Sequence, residues 1–137
     1  MNQSFTEHQL IQLEITEMNY RSIAEFDKDL KKLLKKFRTL NEDIEVAKRN
    51  AIELFHLKEI NNLSVFQVPG FHAAGVRVYK LKKFSSKALK GRGVRSGIRI
   101  IYAYHQETAL VEFIEIYYKP DQQKEDTKRI ENYLKSC

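Results

Sequence analysis

The pattern that most restricts the fold lies between residues 76 and 119. Three runs with strand periodicity follow one another there: VRVYKLKK at 76–83, IRIIYAYH at 98–105 and LVEFIEIYYK at 110–119. Successive side chains of a strand point to opposite faces, so each run divides into two sets. In the middle run Ile98, Ile100, Tyr102 and Tyr104 form a core face, and Arg99 looks out on the other with Ile101 and Ala103. In the first, Tyr79 and Leu81 face the core, with Val78, Lys80 and Lys82 opposite. In the third, Ile114, Ile116 and Tyr118 are the core set, alternating with Phe113, Glu115, Tyr117 and Lys119. The connections are short enough for antiparallel pairing. Aligning the core faces gathers Lys80, Lys82, Arg99, Glu115, Tyr117 and Lys119 on the opposite face. An antiparallel sheet commonly leaves one face to solvent, so an open polar surface is expected.

Upstream the period changes. Residues 20–26 (YRSIAEF) read as a short strand. From Phe26 the apolar positions Leu30, Leu33, Leu34, Phe37 and Leu40 recur at helical spacing, with Lys31, Lys32, Lys35 and Lys36 on the wet side. Thr39 followed by Glu42 is a capping-box pattern that starts a second helix, whose stripe is Ile44, Ala47, Ala51, Leu54 and Phe55. Residues 61–75, with Pro69, Gly70 and Gly75, read as a loop. Pro120 closes the last strand, Asp121 is placed to cap, and Ile130 with Leu134 marks a C-terminal helix. The predicted order is β-α-α-β-β-β-α, an α+β domain over residues 18–137. Residues 1–17 precede it as an extension whose structure the pattern does not define.

At 137 residues the chain suits one domain with one core. No apolar run reaches membrane length, and MNQSFTEH lacks the regions of a signal peptide. The single cysteine, Cys137, has no internal partner, which fits a reducing, cytoplasmic setting. His8, His56, His72 and His105 are scattered without metal-ligand spacing, so neither metal nor cofactor is expected. Charge is more informative. Between Glu59 and Glu107 there is no acidic residue, yet the stretch holds nine cations: Arg77, Lys80, Lys82, Lys83, Lys87, Lys90, Arg92, Arg95 and Arg99. The net charge is +6, so the rest of the chain is acidic by three. One concentrated basic patch is the footprint of a polyanionic partner, set against the plainer reading of a solvated basic loop.

The stretches EFDKDLKKLLKKF, VYKLKKF, SGIRIIYAY and FIEIYYK, in this order, resemble the RelE/ParE toxins of bacterial toxin–antitoxin pairs. The resemblance runs from about Tyr20 to Leu134. It implies a small twisted, mainly antiparallel sheet with two N-terminal helices on one face and a C-terminal helix. The RelE branch cleaves messenger RNA on the ribosome without a metal. Its strand lysine pair matches Lys80 and Lys82, its strand arginine matches Arg99, and the basic residue ending its last strand matches Lys119. The tyrosine of its C-terminal segment has no counterpart in PDQQKED, so base stacking falls to Tyr117 or Tyr118.

The residues suit that chemistry. Metal-free RNA cleavage needs the 2′-hydroxyl to attack the adjacent phosphorus while charge builds on the phosphoryl oxygens. Preorganised cations supply the stabilisation, a role for Arg99 with Lys80, since guanidinium binds phosphate in bidentate fashion. A lysine crowded by cations has a depressed pKa and serves as base. Lys82 is that base, with Glu115 its rival unless Glu115 is spent on an ion pair with Arg99 or Lys80. Lys119 protonates the leaving 5′-oxygen and Tyr117 stacks on a base, while Tyr118 goes to the core. Lys83, Arg92 and Arg95 add substrate-binding charge. The resemblance thus implies an endoribonuclease toxin with three partners: a cognate antitoxin carrying an acidic segment, messenger RNA, and the ribosome. The alternatives are a ParE-like gyrase inhibitor without nuclease activity, and an inactive module that binds nucleic acid or antitoxin.

Overall fold

The computed structural model describes residues 17–60, 63–82 and 97–137. The sequence-expected extension lies almost wholly outside the described residues, as do Lys83, Arg92 and Arg95. The elements run β1 (Asn19–Ser22), α1 (Ala24–Leu34), α2 (Leu40–Ala47), a π-helical turn (Lys48–Ile52), α3 (Glu53–Lys58), β2 (Val65–Ala73), β3 (Val76–Leu81), β4 (Ile98–His105), β5 (Leu110–Tyr118) and α4 (Thr127–Lys135). They build one five-stranded mixed sheet in the order β1-β5-β4-β3-β2. β1 runs parallel to β5, and the other neighbours are antiparallel. The class is α+β. No described helix is long and apolar enough to cross a membrane.

The helical stripe predicted from Phe26 onward packs where it should. Phe26, Phe37, Leu40, Ile44, Ala47 and Ala51 of that stripe are buried against Leu81, Ile98, Ile100, Tyr102 and Ile116. Ile52 of the π-helical turn, which the stripe did not include, is buried with them, while Leu54 is not. Fully burying one such aliphatic side chain is worth about 1.5–3 kcal/mol. Thr39 does precede α2, but its hydroxyl makes no capping bond to the backbone; it donates to the Asp43 carboxylate one turn on, at 2.9 Å. At the other end Asp126, rather than Asp121, caps α4 by accepting from the Arg129 N–H at 3.1 Å.

Three expectations change. Residues 65–73 form a strand where a loop was expected, which adds one strand to the predicted order. Pro69 and Gly70 are accommodated because β2 ends the sheet and its register with β3 breaks between Gln67 and His72. A proline missing its N–H costs least at an edge or a bulge. Gly75, at φ +71°, then turns the chain into β3.

β5 carries a bulge. Ile101 pairs with Glu115 but Tyr102 pairs with Phe113, so Ile114 is the extra residue. Phe113 therefore joins the helix-side core and Ile114 the opposite side, the reverse of simple alternation.

The face that carries Arg99 is also not open along its length. α4 lies across it, burying Ile130 and Tyr133 with Val76, Val78, Ile101, Ala103 and Ile114. Ile101 and Ala103, which alternation left facing solvent, are completely covered. The C-terminal helix was legible from Ile130 and Leu134; its destination was not.

Candidate functional site

Beyond the start of α4 the covered face gives way to a polar end, where β3, β4 and β5 bring the basic residues together. Lys80 is paired with Ile101, and Arg99, two residues before Ile101, is paired with Tyr117. Paired residues share a face, so Lys80, Arg99, Glu115 and Tyr117 stand on one surface. The Lys119 N–H donates to the Gly97 carbonyl at 2.8 Å, carrying the β4–β5 ladder one rung further. That places Lys119, exposed, beyond Tyr117 on the same strand side. Lys82 follows the end of β3; its N–H donates to the Ser64 carbonyl, and its ammonium sits 4.8 Å from the centroid of the Phe66 ring.

The carboxylates are arranged differently from the sequence expectation. Glu115 is 3% exposed and is bound within its own chain segment rather than to Arg99 or Lys80. Its two oxygens accept from the Asp126 N–H at 2.8 Å and from Gln122 Nε2 at 2.7 Å. Burial pushes its carboxyl above the usual range, partly offset by these two donors and by Arg129. The acid that meets Lys80 is Glu125, whose Oε2 lies 2.5 Å from the ammonium. Burial would raise the Glu125 carboxyl, but the Lys80 contact and its own backbone N–H outweigh it and hold the group below the usual value. Tyr117 stands on the same face. Burial, then the charges of Glu125 and Glu115, push its phenol up to about 12. Arg129 secures the start of α4, donating to Asp29 Oδ2 at 2.6 Å and to the Ile114 carbonyl at 3.0 Å.

Both tyrosines proposed for stacking are packed. Tyr117 is 5% exposed on the α4 side. Tyr118 is half-buried on the helix side, edge-on to Phe37 at 4.9 Å with the Lys36 ammonium over its ring. The aromatic ring that does stand on the basic surface is Phe66. It is partly exposed and cross-strand from Lys80. Sequence reading missed it because the segment around Pro69 was not recognised as a strand, so Phe66 had no face assigned. The alternation in VFQV was the available signal.

Two further polar groups lie elsewhere. On the helix side His56 contacts the Tyr102 hydroxyl at 2.8 Å and stacks on Tyr104 at 4.1 Å; burial lowers its pKa to about 4. At the far end of the α4 face, His105 Nε2 lies 2.6 Å from the Tyr133 hydroxyl, which donates to Glu112 at 2.7 Å. Among the described residues no group of three or more His, Cys, Asp or Glu side chains is placed to hold a metal ion.

The arrangement is therefore a cationic platform of Lys80, Arg99, Lys82 and Lys119 with an aromatic ring beside it and a carboxylate laid on one of its lysines. No protein-family model matches the chain, and no curated protein matches it. Among solved structures it is similar to the archaeal RelE–RelB complex from Pyrococcus horikoshii OT3, at 11% identity over 74% of this chain and 94% of that chain, with a TM-score of 0.45.

Proposed function

We propose that this chain is a toxin of the RelE type, a metal-independent endoribonuclease that stops translation by cutting messenger RNA and is restrained by an antitoxin. The observation that carries the reading is the convergence of Lys80, Arg99 and Lys119 from three neighbouring strands onto one face. Cations fixed on a sheet stand ready where charge develops in the transition state.

In this reading the 2′-hydroxyl loses its proton and attacks phosphorus. A 2′,3′-cyclic phosphate forms, the P–O5′ bond breaks, and the departing 5′-oxygen takes a proton to become a hydroxyl. Arg99 and Lys80 hold the phosphoryl oxygens. Lys82 takes the 2′ proton, because Glu115 is committed to Asp126 and Gln122. Lys119, exposed at the strand end, protonates the leaving oxygen. Phe66, rather than the packed Tyr117, offers the ring on which a base stacks. Lys83, Arg92 and Arg95 remain part of the proposed RNA-binding charge. Messenger RNA engaged by ribosomes is the substrate, which sets the work in the cytoplasm, and an acidic antitoxin segment is the natural cover for such a face.

Induction in a bacterium tests the proposal. Protein synthesis should stop first, with transcripts cut to leave 5′-hydroxyl ends. Arg99→Ala should relieve the arrest, with about a hundredfold loss of cleavage. A folded Arg99→Ala variant of undiminished toxicity overturns the assignment of this face. Early arrest of DNA replication with intact transcripts would instead identify a gyrase inhibitor.

A further inference from the structure

The basic face already holds an anion, and the anion belongs to the chain. Glu125 reaches back from the segment between β5 and α4 to place its carboxylate on Lys80 Nζ, on the face that Tyr117 shares with Arg99. The Glu125 side chain is only 14% exposed and that of Lys80 19%. The segment does not reach there by accident of a loose loop. Glu115, buried in β5, grips it at Asp126 and at Gln122, one residue after and three residues before Glu125. Gln122 is itself tied to the Lys124 carbonyl at 2.9 Å. Arg129, bonded to Asp29 and to the Ile114 carbonyl, fixes the helix that follows.

We propose that Lys80 Nζ is an oxyanion-binding subsite, and that Glu125 is its built-in ligand, a carboxylate standing where a phosphate oxygen of a bound polyanion must go. A carboxylate and a phosphate diester present the same acceptor to an ammonium. Both cannot occupy the subsite, so a polyanion binds only as Glu125 leaves. The affinity of the chain for its ligand is reduced by the fraction of molecules in the closed arrangement. The acid-free stretch from residue 60 to 106 thus meets its counter-charge from outside that stretch, in the acidic remainder of the same chain. An acidic partner segment entering the subsite must compete with Glu125 in the same way.

The inference rests on the proposed RNA-binding role of this face only for the choice of probe. The probe is a single-stranded oligoribonucleotide with 2′-O-methyl sugars, which binds but cannot be cut. Glu125→Gln, in the full chain, should bind it roughly tenfold more tightly than the original at low salt, the loss of one charge-assisted competitor. Lys80→Gln in the Glu125→Gln background should erase the gain, because the coupling is between these two residues. Gln122→Ala, which loosens the grip of Glu115 on the segment, should give a smaller gain in the same direction and serves if Glu125→Gln folds poorly. Equal or weaker binding by a folded Glu125→Gln, or by Gln122→Ala where Glu125→Gln does not fold, overturns the subsite. Tighter binding by Glu125→Gln without cleavage of ordinary RNA by any variant leaves the subsite standing and removes the nuclease.

Discussion

The backbone N–H of Asp126, the cap of α4, donates to Glu115 Oε1 in the middle of β5 at 2.8 Å. One buried carboxylate therefore sets where the C-terminal helix begins, and with it the position of Glu125 over Lys80.

Replacing Glu115 tests this junction. Glu115→Ala leaves the Asp126 N–H and the Gln122 amide without their acceptor and should cost about 1–3 kcal/mol. Glu115→Gln keeps one acceptor and should cost less. The pH dependence has a definite sign. Burial raises the folded-state pKa of Glu115, so its protonated form is the one folding favours. That contribution is complete below the ordinary carboxylate value and is lost as pH rises through the raised one. Denaturant titrations across that window should show the original chain losing stability relative to Glu115→Gln as pH increases; parallel curves would contradict the assignment.

His56 gives the opposite sign. Its pKa is lowered from 6.5 to about 4 by burial, so the folded chain holds it neutral. Stability from this group is complete above the unfolded value and is lost as pH falls from 6.5 toward 4, by at most about 3 kcal/mol. Proton NMR of the His56 ring should give a midpoint near 4. A midpoint near 6.5 would mean that the ring is not enclosed by Tyr79, Tyr102 and Tyr104.

Gly97 should not accept a side chain. Its φ is +81°, and a Cβ there would stand 3.1 Å from Tyr118 Cε1 and 3.3 Å from Pro120 Cδ. The strained backbone alone costs about 1–3 kcal/mol in Gly97→Ala. Because the Gly97 carbonyl holds the Lys119 N–H, the same change should also displace Lys119. The melting temperature should fall by several degrees, at about 4 °C per kcal/mol for a domain between about 100 and 150 residues. An unchanged melting temperature would contradict the close packing of Gly97, Tyr118 and Pro120.

How far the sequence could be read depended on where alternation was unbroken. In β3 and β4 it was, and Tyr79, Leu81, Ile98, Ile100, Tyr102 and Tyr104 all lie on the helix side as period two requires. In β5 the extra residue at Ile114 exchanges the sides of Phe113 and Ile114, and no composition signal marks a bulge built from isoleucine. The strand around Pro69 was hidden because proline and glycine there mean an irregular edge, which single-sequence reading cannot separate from a loop. Tyr117 shares the Arg99 face as parity demands, yet is buried there by a segment whose docking depends on Glu115, Gln122 and Glu125. The cations were legible because they are local in sequence. The carboxylate that answers them is not, since Lys80 and Glu125 meet only through tertiary folding.

The proline in β2 has one more consequence, for how the protein keeps to itself in a crowded solution. An outermost strand with an unbroken row of amide donors is a template on which another chain can extend the sheet. Pro69 removes a donor from the middle of that row, and the register break between Gln67 and His72 bends what remains out of line. A neighbouring strand meets at most a few consecutive partners on either side of the interruption. The residues that disguised β2 as a loop thus work against sheet-to-sheet aggregation along this edge.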